Sequence, residues 1–165
     1  NIALIHKNKP VLGVVYVPAD EEIYYASKNW GSFKEDLKTN QIKLLKESNP
    51  AVLLRVITSR SHKNPRLQRF LKKIPPHRII SMGSSLKLCK VADGKADIYP
   101  RLGPLSEWDI SAAAMILKEA GGQIYNFEGE LITFDTVDGR INSFIAVSKH
   151  YDNIILNLLQ KQQIT

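Results

Sequence analysis

The sequence predicts an α+β chain that passes into α/β. Three observations carry this: β-branched, turn-bounded runs crowd the first fifty residues, strand-like and helix-like patterns alternate from Val52 onward, and one helix near residues 106–122 has both ends marked. The polar stretch from Glu35 ends at Ser48-Asn49-Pro50, where a domain boundary is placed. Residues 1–49 are then antiparallel strands of an incomplete N-terminal domain, and 50–165 a C-terminal α/β domain.

In order, Ile2–Ile5 and Val11–Val17 read as strands joined by a turn over residues 6–10, with Pro18 closing the second. Glu22–Ser27 is a third strand, and Asn29-Trp30-Gly31 turns into a short fourth near Ser32–Lys34. The stretch beyond holds one apolar piece, Ile42-Lys43-Leu44. Val52–Thr58 is a buried strand. Asn64-Pro65 opens a helix to about Lys73, an N-cap followed by proline in the first turn, and Pro75-Pro76 stops it. Arg78–Ser81 is a short strand; Ser84 caps a helix that Gly94 ends. Ala96–Tyr99 is a strand that Pro100 closes. In the next helix Ile110, Ala113, Ala114 and Leu117 recur at helical spacing, and Gly121-Gly122 is its stop. Its alanine-rich side allows another backbone to approach closely. Strands follow at Gln123–Tyr125, Leu131–Phe134 and Phe144–Val147, and an amphipathic helix at Tyr151–Gln160.

At 165 residues, 44% hydrophobic and 24% charged, the chain has the composition of an ordinary globular domain. No apolar run reaches the roughly 20 residues of a membrane span, and no signal peptide is visible. The single Cys89 excludes an internal disulfide and is compatible with a reducing cytoplasm. It falls on the apolar side of its helix, so a core thiol is expected. A net charge of +7 points to anionic partners. The basic residues are scattered without interleaved aromatics, which argues against a nucleic-acid module. Because the first residues, Asn1-Ile2-Ala3-Leu4-Ile5, already read as a strand, the chain is expected to be the C-terminal part of a longer protein.

Four polar positions fall where a strand ends or a helix starts, and in open α/β sheets such positions converge on one crevice. His62, in the loop Ser59-Arg60-Ser61-His62, could donate to a phosphate or a nucleoside edge, or simply face solvent. Gly83-Ser84 precedes a helix start whose free amides suit an anion. Lys87 lies in the first turn of that helix, against the dipole, which an intervening anion would explain. Arg101, just past a strand, suits bidentate phosphate recognition. Asp109, in the first turn of the helix with marked ends, can be an N-cap, a capping pair with Ser106, or a metal ligand. Asp97 is in range but reads as structural.

The wording Trp108-Asp109 followed by small residues and Glu119-Ala120-Gly121-Gly122 resembles the second signature of the inositol monophosphatase superfamily, a group of magnesium-dependent, lithium-sensitive phosphatases. The stretches S-R-S-H and G-S-S-L-K-x-C-x-V-A-x-G-x-A-D-I-Y-P-R resemble more narrowly its 3'(2'),5'-bisphosphate nucleotidase branch. Ile110 and Ser111 depart from the usual Thr-Ala after the Trp-Asp pair. The resemblance implies a layered α-β-α-β-α sandwich, truncated at its N-terminus. It also implies removal of the 3'-phosphate from adenosine 3',5'-bisphosphate, or its sulfated form, in sulfur metabolism. His62, Gly83, Ser84, Lys87 and Arg101 would bind the nucleotide. Asp109 would be the catalytic group, touching substrate and holding one of two or three magnesium ions. The family's other metal-binding motifs, an upstream Glu-Glu and an Asp-Pro-Ile/Leu-Asp-Gly-Thr, do not occur here. This chain alone is therefore expected to be inactive. An inositol or sugar monophosphatase and a non-catalytic polyanion-binding module are the alternatives. A cytoplasmic protein acting on a small molecule is expected; peripheral membrane association and oligomeric state stay open.

Overall fold

The computed structural model describes residues 1–46, 51–59, 64–134 and 136–161. Strands β1 (Ile2–His6), β2 (Lys9–Val17), β3 (Glu22–Ser27), β4 (Gly31–Asp36) and β5 (Gln41–Leu45) form an antiparallel meander in chain order. A second, mixed sheet has the order β7-β6-β8-β10-β9, from β6 (Leu54–Thr58), β7 (His77–Ser81), β8 (Ile98–Ser106), β9 (Gln123–Tyr125) and β10 (Arg140–Val147). Strand β6 is parallel to both neighbours, and the other pairings are antiparallel. Helices α2 (Leu86–Ala92) and α3 (Ser111–Glu119) lie between the sheets, around a core that includes Tyr24, Leu88, Met115 and Phe144. Helices α1 (Pro65–Leu71) and α4 (Asp152–Lys161) cover the far face of the second sheet through Leu67, Phe70, Ile155 and Leu159.

Helix α3 fixes this layering, because Ser111 to Leu117 are all buried. A helix apolar on every side belongs between two layers. Its alanines let β2 come very close: a Cβ at Gly13 would sit 2.9 Å from the carbonyl carbon of Ala112. At its end Gly121 takes φ +94°, and the amides of Gly121 and Gly122 return to the carbonyls of Lys118 and Leu117.

Several boundaries differ from the sequence reading. The piece Ile42-Lys43-Leu44 is a full strand, β5, paired along β4. Strand β8 does not stop at Pro100 but runs on to Ser106. Its pairing to β6 ends at Ile98, so on that side Pro100 has no ladder to break. The helix expected from the Trp-Asp pair is split: Glu107–Asp109 make a single 3₁₀ turn, and α3 begins after Ile110. Ser84 is not the N-cap of α2. It adopts the left-handed conformation, φ +68°, and the helix starts one residue later, behind Ser85. Of Leu131–Phe134 only Leu131 bridges to Tyr125, since the chain leaves the sheet to bury Phe134, whose amide donates to the Asn8 carbonyl. No helix among the described residues is long and apolar enough to cross a membrane.

Alternation along the meander places Ile2, Leu4, Leu12, Tyr16, Ile42 and Leu44 on its outer face, all exposed. On the inner side an ionic cluster ties the meander to α2. Lys34 and Lys90 pair with Glu22, and Lys43 pairs with the buried Asp93. Burial would raise the Glu22 pKa, but Lys34, Lys90 and the Tyr24 hydroxyl outweigh it and hold it below the ordinary 4.5. A carboxylate depressed in the folded state stabilises fully above its unfolded pKa, and that stabilisation is lost as pH falls through the folded value. Glu22→Gln is therefore expected to flatten the acid side of the stability profile by about 1 kcal/mol. Urea titrations of both proteins between pH 7 and pH 3 check this; parallel profiles would mean that the cluster contributes nothing to acid sensitivity.

Candidate functional site

Strand β6 lies between β7 and β8: the chain leaves it through α1 to β7, then crosses back over it through α2 to β8. Beyond its carboxyl end, and that of β7, lies an open cleft of about 420 Å³. Five of the six expected site residues line it: Gly83, Ser84, Lys87, Arg101 and Asp109. They come from three segments separated in sequence, and the topology alone brings them together. The sixth, His62, lies outside the described residues; Ser59, three positions before it, is at the cleft wall.

The loop after β7 is shaped by its own contacts. Ser84 is in a conformation that costs a non-glycine residue energy. The Lys87 ammonium compensates by donating to the Ser84 carbonyl at 2.6 Å. The Ser85 hydroxyl meets the Asn1 side chain, which brings the start of the chain to the cleft wall. Gly83 has nothing within 4 Å of where a Cβ would stand, so its backbone is open to a ligand.

Lys87 is buried, and its Nζ lies 5.0 Å from the centre of the Tyr99 ring. Burial first, and the Arg101 charge second, lower its pKa. Arg101 is oriented by carbonyls of its own strand, donating to Gly103 at 3.4 Å and Pro104 at 3.2 Å. A register shift between β8 and β10 folds those carbonyls back toward it. With two cations and one carboxylate, the cleft favours an anion.

Asp109 carries the expected cap. Its Oδ2 accepts from the Ser106 amide at 3.2 Å, and the Ser106 side chain in turn accepts from the Asp109 amide. The carboxylate is exposed at the cleft and only one of its oxygens is engaged by the cap among the described residues, which fits one ligand of a magnesium ion. It does not make a whole site: among the described residues no three of His, Cys, Asp and Glu come together to hold a metal.

Other polar groups are structural. Asp97 is buried and takes the backbone amide and the guanidinium of Arg55. Cys89 is fully buried, and burial pushes its thiol up to about 12. Sequence reasoning missed Ser59, Ser85, Asn1 and Tyr99. Ser85 was visible in the Gly-Ser-Ser run, whereas Tyr99 reads as any strand aromatic and Asn1 reaches the cleft only through the tertiary fold.

A family model for the inositol monophosphatase family matches residues 1–163. The chain belongs to that family. The 3'(2'),5'-bisphosphate nucleotidase CysQ of Salmonella typhimurium is 37% identical over 148 residues, 90% of this chain and 58% of that protein. The protein of the same name from Buchnera aphidicola is 40% identical over 129 residues, 78% of this chain and 48% of its own. Among solved structures, CysQ from Bacteroides thetaiotaomicron superposes with a TM-score of 0.80 at 31% identity, covering 89% of this chain and 61% of that one. Inositol monophosphate-bound SaIMPase-II gives 0.76 at 26% identity, covering 98% of this chain and 61% of its own. The chain thus spans under two thirds of the length of these relatives, and both solved neighbours share its layered α+β arrangement.

Proposed function

We propose that the protein is a 3'(2'),5'-bisphosphate nucleotidase, removing the 3'-phosphate of adenosine 3',5'-bisphosphate to release AMP, or that of its sulfated form to release adenosine 5'-phosphosulfate. In this reading these 165 residues supply the nucleotide-binding side and one metal ligand. The observation that supports it best is the pair Lys87 and Arg101 in one cleft with Asp109. A bisphosphate has a second anion to place, and two cations apart from the metal ligand answer it; an inositol monophosphate has none to spare. Gly83 and Ser84 offer backbone to one phosphate, Lys87 and Arg101 offer charge, and His62 keeps the nucleoside or phosphate role that the resemblance implies. Asp109 holds one magnesium ion, which when bound supplies positive charge to the reacting phosphoryl group.

Calorimetry in magnesium tests the assignment. Adenosine 3',5'-bisphosphate is expected to bind at least about tenfold tighter than inositol 1-phosphate, the value of one good charged contact. Equal affinities would shift the reading to a monophosphatase. Binding that ignores magnesium and collapses steeply with salt would mark a polyanion binder instead. Lys87→Ala is expected to weaken the bisphosphate by about tenfold while changing inositol 1-phosphate little. With a single cleft carboxylate among the described residues, these 165 residues alone are expected to show no measurable turnover; hydrolysis by this chain in magnesium refutes that.

A further inference from the structure

We infer that Tyr99 is a positioning residue of the cleft, its ring face seating the Lys87 ammonium so that it and Arg101 serve one bound phosphate group. The ligand in this inference rests on the nucleotide reading above; the seat rests on geometry.

Lys87 is 5% exposed and its ammonium has three N–H groups to satisfy. One goes to the Ser84 carbonyl. Among the described residues no carboxylate pairs with it, although Asp109 lines the same cleft and Arg101 opposes it. The remaining favourable contact is the Tyr99 ring face at 5.0 Å, an attraction that strengthens when water is excluded. The ring cannot turn away. Tyr99 is 4% exposed on β8, and Phe144 of β10 meets it edge-on, with centroids 5.4 Å apart and planes at 87°. Burial raises the Tyr99 pKa, offset in part by Arg101 and Ser59, so the hydroxyl stays a neutral phenol beside both. One aromatic side chain thereby bears on Lys87 from α2, Arg101 from β8 and Ser59 from the end of β6. A cation anchored to a carbonyl and a ring keeps its last N–H free for an anion, at little entropic cost on binding.

The test uses Tyr99→Phe, Tyr99→Leu and a series of fluorinated phenylalanines at position 99, which drain the ring's negative face with little change of shape and so keep the fold. Two quantities are read: the NMR titration of the Lys87 Nζ without ligand, and the affinity for adenosine 3',5'-bisphosphate. Tyr99→Phe keeps the ring face and loses the hydroxyl beside Arg101 and Ser59, so it is the reference for the fluorine series. Along the fluorine series, and in Tyr99→Leu where it folds, the Lys87 midpoint should fall by about one pH unit and affinity by about tenfold. A Lys87 midpoint indifferent to fluorination overturns the seat. A midpoint that falls while affinity holds overturns the link to phosphate. If the unaltered chain binds no nucleotide, the functional reading fails on its own, and the ligand-free titration still decides the seat.

Discussion

Gly13→Ala is expected to destabilise the protein by more than about 3 kcal/mol, enough to leave much of the chain unfolded at equilibrium. The added carbon would stand 2.9 Å from the Ala112 carbonyl carbon and 3.0 Å from its Cα, and closer still to the oxygen. These are backbone atoms of α3, the helix between the two sheets, so no rotamer change relieves the overlap. Either β2 or α3 must move, and each carries the packing of a whole layer. Dense interiors do not absorb such shifts cheaply. Gly83→Ala is the control. That site has open space around a Cβ and no left-handed φ, so the same substitution should shift stability by less than about 0.5 kcal/mol. Urea denaturation followed by circular dichroism measures both. Should Gly13→Ala unfold no sooner than Gly83→Ala, the close approach of β2 to α3 is not what holds the meander in place.

That contact was half legible. The alanine-rich side of α3 announced that some backbone comes close, but nothing local says which one, because Gly13 lies a hundred residues away inside a strand-like run. The same division runs through the fold. Elements whose pattern is set by their own residues were readable: β3 and β9 fall at the residues read as strands, and Asn64 caps α1 by accepting from the Arg66 amide. Elements shaped by distant partners were not. In β5 the apolar Ile42 and Leu44 face outward and are exposed, while Lys43 turns to Asp93 and Leu45 is the one buried residue, so the strand's alternation points away from the core. The passage of β8 through Pro100 depends on where β6 stops pairing. At the cleft the charged and small residues stood out by chemistry. Tyr99 did not, since an aromatic under a lysine looks in sequence like any core aromatic.

Asp109→Asn is expected to cut phosphatase turnover at least about 100-fold with almost no loss of stability. Turnover here is that of the protein completed by the part of the Salmonella relative that this chain does not span. The two roles of the side chain separate cleanly by chemistry. As a cap, Asp109 needs only an oxygen that accepts from the Ser106 amide, and an asparagine carbonyl provides one. As a magnesium ligand it needs charge on the oxygen facing the cleft, and an amide has none. Ser106→Ala makes the opposite cut: it removes the hydroxyl half of the reciprocal cap, costs about 1 kcal/mol of stability, and leaves the carboxylate in place. Its turnover should fall less than about tenfold, because a loosened turn blurs the carboxylate's position without removing its charge. The pair of variants therefore discriminates where either alone does not. If Asp109→Asn and Ser106→Ala lose turnover in parallel, Asp109 is a helix cap and the metal is held elsewhere. A large gap between them, with stabilities ordered the other way, assigns the carboxylate to the ion.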